Sequence, residues 1–228
     1  MTTPSILLDV HAHLIPLGAA QADAITGHEG VAWSPSGHLV VDGAELANAQ
    51  VYDATALVAW MDRHDVSAAW VSVPPTLYRS QLDMVQAERW CRLLNAAMDA
   101  LVAGHAPRLQ AMHLLPMQHP EAAARIATDG VHAGQQRYAM AAGDPMGLRV
   151  LSSPDYESLW QVLDTAQAFL FLHPGRSCDR RLTPLSLSNL LGGPYETALA
   201  GAHLAMGGVA ERHPGIQFCL AHGGGALP

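Results

Sequence analysis

The chain has 228 residues, half of them hydrophobic and only 14% charged, which is enough to bury one sizeable core and fits a single domain. Its formal net charge of −8 argues against nucleic acid or an anionic membrane as partner, because both select clustered positive charge. All 12 cationic Lys/Arg positions are arginine, so Schiff-base chemistry, a P-loop lysine and a carbamylated-lysine metal bridge are closed to it. The 13 histidines point instead to metal ligation and proton transfer near neutral pH.

Cys91, Cys178 and Cys219 are odd in number, far apart and form no C-x-x-C, so neither a disulfide framework nor a cysteine zinc site is expected and the compartment reads as reducing. Met1 to Asp9 lacks a basic segment followed by a long apolar one, and no window approaches the run of about 18 apolar residues that spans a bilayer. The expectation is a cytoplasmic protein.

Short apolar runs alternate with longer helical stretches, the pattern of an α/β domain with parallel strands joined by helical crossovers. Ile6 to Val10 opens as a strand, and Pro16 to Asn48, rich in Gly, His and Ser, reads as a long functional loop. Helix resumes at Asp53, with Leu57, Trp60, Met61 and His64 at helical spacing, and Ala68 to Val73 is a strand stopped by Pro74 and Pro75. Gln81 to Gly104 reads as a long amphipathic helix, Leu109 to Leu115 as a strand and Glu121 to Ala127 as a short helix. For the fourth strand, Gly147 to Leu151 is preferred to Tyr138 to Ala142, because a helix start at Pro154 follows it directly. Tyr156 to Ala166 is expected to be helical, Phe169 to His173 a strand, Tyr195 to His213 helical and Gln217 to His222 the sixth strand.

His11 and His13 lie two apart in extended chain, so both rings can face one point in chelating fashion. A lone H-x-H is equally compatible with two loop histidines. His173 and His222 each close a further apolar strand, and the carboxyl ends of the strands of a β/α barrel form the face where catalytic residues converge. His222 is open to a blander reading as a turn residue kept by its glycine neighbours. Arg176, Arg180 and Arg181 follow His173 in a loop bounded by Gly and Pro, where they either pair with a substrate carboxylate or are simply solvated. Asp9 reads as a supporting carboxylate rather than a ligand. His28, His38, His64, His105, His113, His119, His132, His203 and His213 receive no role.

Three segments together carry a resemblance: Asp9-Val10-His11-Ala12-His13, Phe171-Leu172-His173-Pro174, and Ala221-His222-Gly223-Gly224-Gly225. They resemble the metal motifs of the amidohydrolase superfamily, in its branch similar to aminocarboxymuconate-semialdehyde decarboxylase. Trp60-Met61-Asp62, Pro107-Arg108-Leu109 and Tyr195-Glu196-Thr197-Ala198-Leu199-Ala200 fit the same pattern. The resemblance implies a TIM-type (β/α)8 barrel, of which about six β/α units are present in one domain that is incomplete at its C-terminal end. It implies that His11, His13 and His173 bind one divalent metal, usually zinc, and that His222 transfers the proton. The family's aspartate ligand after the eighth strand has no match here. Nor does Gln50-Val51-Tyr52 contain the arginine that the named decarboxylase places in its first loop.

The implied reaction is metal-dependent carbon–carbon lysis, a decarboxylation of a small unsaturated or aromatic carboxylic acid. Hydrolysis or hydration on the same fold is the alternative within the class, and a catalytically inert, truncated homologue is the alternative outside it. The expected partner is the small carboxylic acid substrate, with a homodimer for the full-length protein.

Overall fold

The computed structural model describes residues 6–18, 23–177 and 179–227; the Cys178 named above lies outside them. Two compact units make up the chain, one drawn from Met1–Leu77 and Arg92–Met112, the other from Tyr78–Cys91 and His113–Pro228.

The first unit is built on a parallel sheet of β1 (Ile6–His13), β5 (Val66–Ser72) and β6 (Leu109–Ala111) in the order β1-β5-β6. Ala69, Val71 and Ser72 of β5 are fully buried, as expected of a central strand covered on both faces. Helix α1 (Ala54–Arg63) starts where the Asp53 carboxylate accepts the Ala56 N–H at 2.8 Å, so an otherwise orphaned amide is satisfied and the helix begins there. At its other end Arg108 ties three segments together. Its guanidinium donates to Asp62 Oδ1 at 2.7 Å, to the Ser67 carbonyl at 2.7 Å and to the Val66 carbonyl at 3.0 Å.

The expected long loop from Pro16 to Asn48 is only partly a loop. Within it β2 (Val31–Trp33), β3 (Leu39–Val41) and β4 (Ala44–Glu45) form a small antiparallel sheet. Tyr52 fastens this sheet to the chain that follows: its hydroxyl donates to the Leu46 carbonyl at 2.9 Å and accepts the Leu39 N–H at 3.1 Å. Strands of two or three residues are too short to show alternation, which is why composition alone read as loop.

The second unit carries four parallel strands, β7 (His113–Leu115), β8 (Arg137–Ala141), β9 (Phe169–His173) and β10 (Gln217–Leu220), in the order β10-β9-β8-β7. The fourth strand is therefore Arg137–Ala141, not Gly147 to Leu151. Tyr138, Ala139, Met140 and Ala141 are buried and pair with β9 in register from Arg137↔Phe169 to Ala141↔His173. By contrast Leu148 is 79% exposed in the preferred alternative. The single expected strand from Leu109 to Leu115 divides at Met112 into β6 and β7, whose partners are β5 and β8 respectively.

Around these strands run α3 (Pro120–His132), α4 (Glu157–Thr165), α5 (Gly193–Met206) and α6 (Val209–Arg212). Helix α2 (Met84–Ala103) contributes its start to the second unit and its remainder to the first. The single helix expected from Tyr195 to His213 is broken between α5 and α6 at Gly207 and Gly208. Gly208 has φ of +67°, and a Cβ on Gly207 would stand 2.5 Å from both the His203 carbonyl and Ser152 Cβ. Two glycines here let the chain turn where a side chain would collide. Among the described residues no helix is long and apolar enough to cross a membrane.

Candidate functional site

In the first unit the site residues come from the end of β1. Asp9 pairs with Ala69 and Ala12 with Val71, so β1 advances three residues while β5 advances two. The extra residue is a bulge at Val10–His11, a device that re-aims side chains at a strand end. Regular alternation, on which the expectation for His11 and His13 rested, is thus interrupted. The two rings are nevertheless neighbours, with centroids 5.2 Å apart and planes nearly perpendicular. Asp9 Oδ1 accepts the His11 backbone N–H at 2.8 Å, so that carboxylate organises the bulge. His13 Nδ1 shares a hydrogen bond of 3.0 Å with Ser72 Oγ, a hydroxyl that is itself fully buried. Burial, followed by the neighbouring His11, lowers the His13 imidazole to about 4, so the ring is neutral at pH 7.

In the second unit His173 closes β9 and His222 lies in the turn after β10. Their ring centroids are 5.0 Å apart at 68°. His173 is only 8% exposed, and its Nδ1 lies 2.9 Å from the Pro174 carbonyl. A carbonyl can only accept, so Nδ1 carries the proton and Nε2 keeps the lone pair of a ligand. His222 is exposed and holds φ of +55°, a left-handed conformation that costs a residue with a Cβ roughly 1–2 kcal/mol. Gly223, Gly224 and Gly225 continue the turn at φ of +63°, +87° and +69°. A Cβ on Gly225 would stand 2.1 Å from the Pro194 carbonyl, so this turn is pressed against the start of α5. Gly193, the first residue of α5, lies between Pro174 and His222: its missing Cβ would meet Pro174 Cγ at 3.6 Å and His222 Cε1 at 3.9 Å.

The three arginines after β9 are not equivalent. Arg176 and Arg180 are exposed. Arg181 is held by Asp179, Nε to Oδ1 at 2.9 Å and Nη2 to Oδ2 at 2.5 Å, and this guanidinium keeps the Asp179 carboxyl down at about 2. Of the three expected carboxylate binders, Arg181 therefore already has its carboxylate.

Two residues to which the sequence assigned no role border the same loop. Glu196 is 3% exposed, and its Oε1 accepts from Ser177 Oγ at 2.7 Å. Tyr78 is buried with its ring 3.7 Å from the position a Gly175 Cβ would take, and its hydroxyl has no hydrogen-bond partner among the described residues. Burial pushes its phenol well above the usual range. The signal for Glu196 was present in the sequence, as an acidic side chain on the helical stripe Gly193, Thr197, Ala200, Gly201 and Leu204, all of which are buried.

A family model described as amidohydrolase matches residues 8–228. The chain belongs to the amidohydrolase family. This amidohydrolase is 23% identical to the 2-amino-3-carboxymuconate-6-semialdehyde decarboxylase of Dictyostelium discoideum over 98% of its own length and 64% of that protein's. It thus spans a little under two thirds of that relative. Among solved structures it resembles the 5-carboxyvanillate decarboxylase of Sphingomonas paucimobilis, with a TM-score of 0.77 at 18% identity, covering 99% of this chain and 70% of that one. It also resembles a dihydroxybenzoic acid decarboxylase from Polaromonas, solved with bound manganese and the inhibitor 2-nitroresorcinol, with a TM-score of 0.72 at 19% identity, covering 98% and 67%. Likenesses at these identities establish a shared α/β fold for the amidohydrolase.

Proposed function

We propose that this chain carries the metal-binding and proton-transfer residues of a metal-dependent decarboxylase acting on a small aromatic or unsaturated carboxylic acid. The observation that carries the reading is the histidine pair of the second unit. His173 has its Nδ1 proton directed to the Pro174 carbonyl, which leaves Nε2 as a ligand atom, and its ring adjoins an exposed His222 held in a left-handed turn. The named decarboxylases among its relatives support the same reaction.

His11, His13 and His173 would hold one divalent cation. The donor set fits: all three are imidazoles, the His13 ring is neutral at pH 7, and imidazole suits zinc as well as other first-row metals. Zinc is the expected ion, while manganese is what the Polaromonas structure holds. When bound, the ion supplies Lewis acidity toward a substrate oxygen. Arg176 pairs with the substrate carboxylate through a charge-assisted hydrogen bond. As the carbon–carbon bond to that carboxylate breaks, its electron pair remains on the substrate carbon. Protonated His222 delivers its proton there and carbon dioxide leaves, so one proton replaces one carbon dioxide. The parallel strands of both units are, on this reading, units of a TIM-type (β/α)8 barrel, supported by the TM-score of 0.77.

The test is release of carbon dioxide from a panel of aromatic and muconate-type carboxylates, with and without added zinc or manganese. Metal-dependent release supports the reading, whereas metal-dependent hydrolysis or hydration without carbon dioxide would move the chain to the other chemistry of the fold.

A further inference from the structure

The segment Pro174–Ser177 joins His173 to Arg176, and it is fixed at both ends. At its start the Pro174 carbonyl accepts from His173 Nδ1 at 2.9 Å. At its end the Ser177 hydroxyl donates to Glu196 Oε1 at 2.7 Å while its oxygen accepts the Asp179 N–H at 3.3 Å. Asp179 in turn holds Arg181. A chain of polar contacts thus runs from α5 through Ser177 into the arginine loop.

Glu196 reaches Ser177 only because of a gap at the end of β8. Its Oε2 lies 2.2 Å from where a Cβ on Gly143 would stand, so any other residue at 143 would displace the carboxyl. Packing alone gives no reason for an acid there. The other residues buried on that face of α5 are small or apolar apart from Thr197, whose hydroxyl is satisfied by the Gly193 carbonyl at 2.9 Å. Burying a carboxyl is costly unless it is hydrogen-bonded. The first turn of α5 and the Ser177 hydroxyl offset that cost, and the hydroxyl ties the carboxyl to the loop.

We propose that Glu196 is a positioning residue: through Ser177 it holds the loop after β9 so that Arg176 is presented to the substrate carboxylate. This rests on the reading of Arg176 given above. The tether acts on the Arg176 end of the loop, whereas His173 is secured separately within β9. Loss of the tether therefore weakens carboxylate binding and leaves metal affinity alone.

The experiment compares Ser177→Ala, Glu196→Ala, Glu196→Gln and the double alanine variant in the full chain, with Arg176→Ala as control. Three quantities are read: amide hydrogen exchange across residues 175–179 in metal-free protein, affinity for zinc, and affinity of the zinc-loaded protein for benzoate. Both single alanine variants should exchange faster in that segment and bind benzoate about two- to tenfold more weakly, as expected for one lost hydrogen bond, with zinc affinity unchanged. Glu196→Gln, whose amide oxygen still accepts from Ser177, should restore most of the affinity, and the double variant should be no worse than either single one. Arg176→Ala should lose benzoate with exchange unaltered. If Ser177→Ala, which leaves α5 intact, binds benzoate like the parent, or if it loses zinc, the proposal is overturned. A parent chain that binds neither zinc nor benzoate would defeat the reading of the site itself, and unaltered exchange in Ser177→Ala would separately defeat the tether.

Discussion

Gly223 and Gly225 lie two residues apart in the turn that carries His222, and they differ in what a methyl group would meet. At Gly223 the φ of +63° is the only obstacle, because nothing stands within 4 Å of the added Cβ; Gly223→Ala should cost about 1 kcal/mol. At Gly225 the same kind of φ is joined by the Pro194 carbonyl at 2.1 Å, so Gly225→Ala must move the start of α5 and should cost about 3 kcal/mol or more. Urea unfolding of the two variants checks the order. His13 makes a pH-dependent prediction. Its folded-state value, lowered from 6.5 to about 4 by burial and by His11, lies below the unfolded one. The neutral ring therefore contributes stability that is complete above about pH 6.5 and is lost as pH falls toward 4, up to roughly 3 kcal/mol. Metal-free protein should lose stability across that window, and His13→Gln should flatten the loss. At this scale the sequence already singled out His11, His13, His173 and His222, because each follows or closes an apolar run. It did not single out Glu196 or Ser177, whose meaning depends on a glycine more than fifty positions away in Glu196's case.

Elements were legible where burial is continuous. Phe169–His173 is legible as a strand because Phe169 to Leu172 are apolar and Leu170 to His173 are buried, a strand covered on both faces needing no alternation. The strand expected from Gln217 to His222 ends at Leu220, and His222 falls in the turn that follows. The strand is Arg137–Ala141 and not Gly147 to Leu151, because a helix start at Pro154 says less about the segment before it than a continuous apolar run says about itself. The run Tyr138-Ala139-Met140-Ala141 is small but wholly apolar, and Tyr138 keeps its hydroxyl satisfied by the Ala127 and Gln135 carbonyls at 3.1 and 3.2 Å. The break between α5 and α6 is hidden in the sequence because the pattern is otherwise helical on both sides of Gly207 and Gly208; the left-handed φ of Gly208 and the close approach of the His203 carbonyl and Ser152 to Gly207 appear only in the fold. Helix α1 offers the cleanest test at this scale. Asp53→Ala removes the acceptor of the Ala56 N–H and should destabilise the chain by about 1 kcal/mol, with Asp53→Asn close to the parent, as measured by thermal or urea unfolding.

For the molecule as a whole, the proposal to be tested is that His11, His13 and His173 hold one divalent ion. A ligand bound only by the folded chain stabilises it by mass action, by about 2.7 kcal/mol at a hundredfold excess over Kd, which for a chain of this size corresponds to a rise in Tm of roughly 5–10 °C. Removal of metal with a chelator should reverse that rise. On the proposed assignment, in which His222 moves a proton and His11, His13 and His173 hold the ion, His222→Ala should keep the stabilisation and lose turnover; loss of the ion from that variant would make His222 a ligand. The most direct measurement is metal content per chain, by elemental analysis after equilibration with zinc, for the parent and for His11→Ala and His173→Ala. One ion per parent chain, lost to a similar extent when either histidine is removed, is the result predicted. An ion retained by either variant with its affinity undiminished would contradict the proposed ligand set.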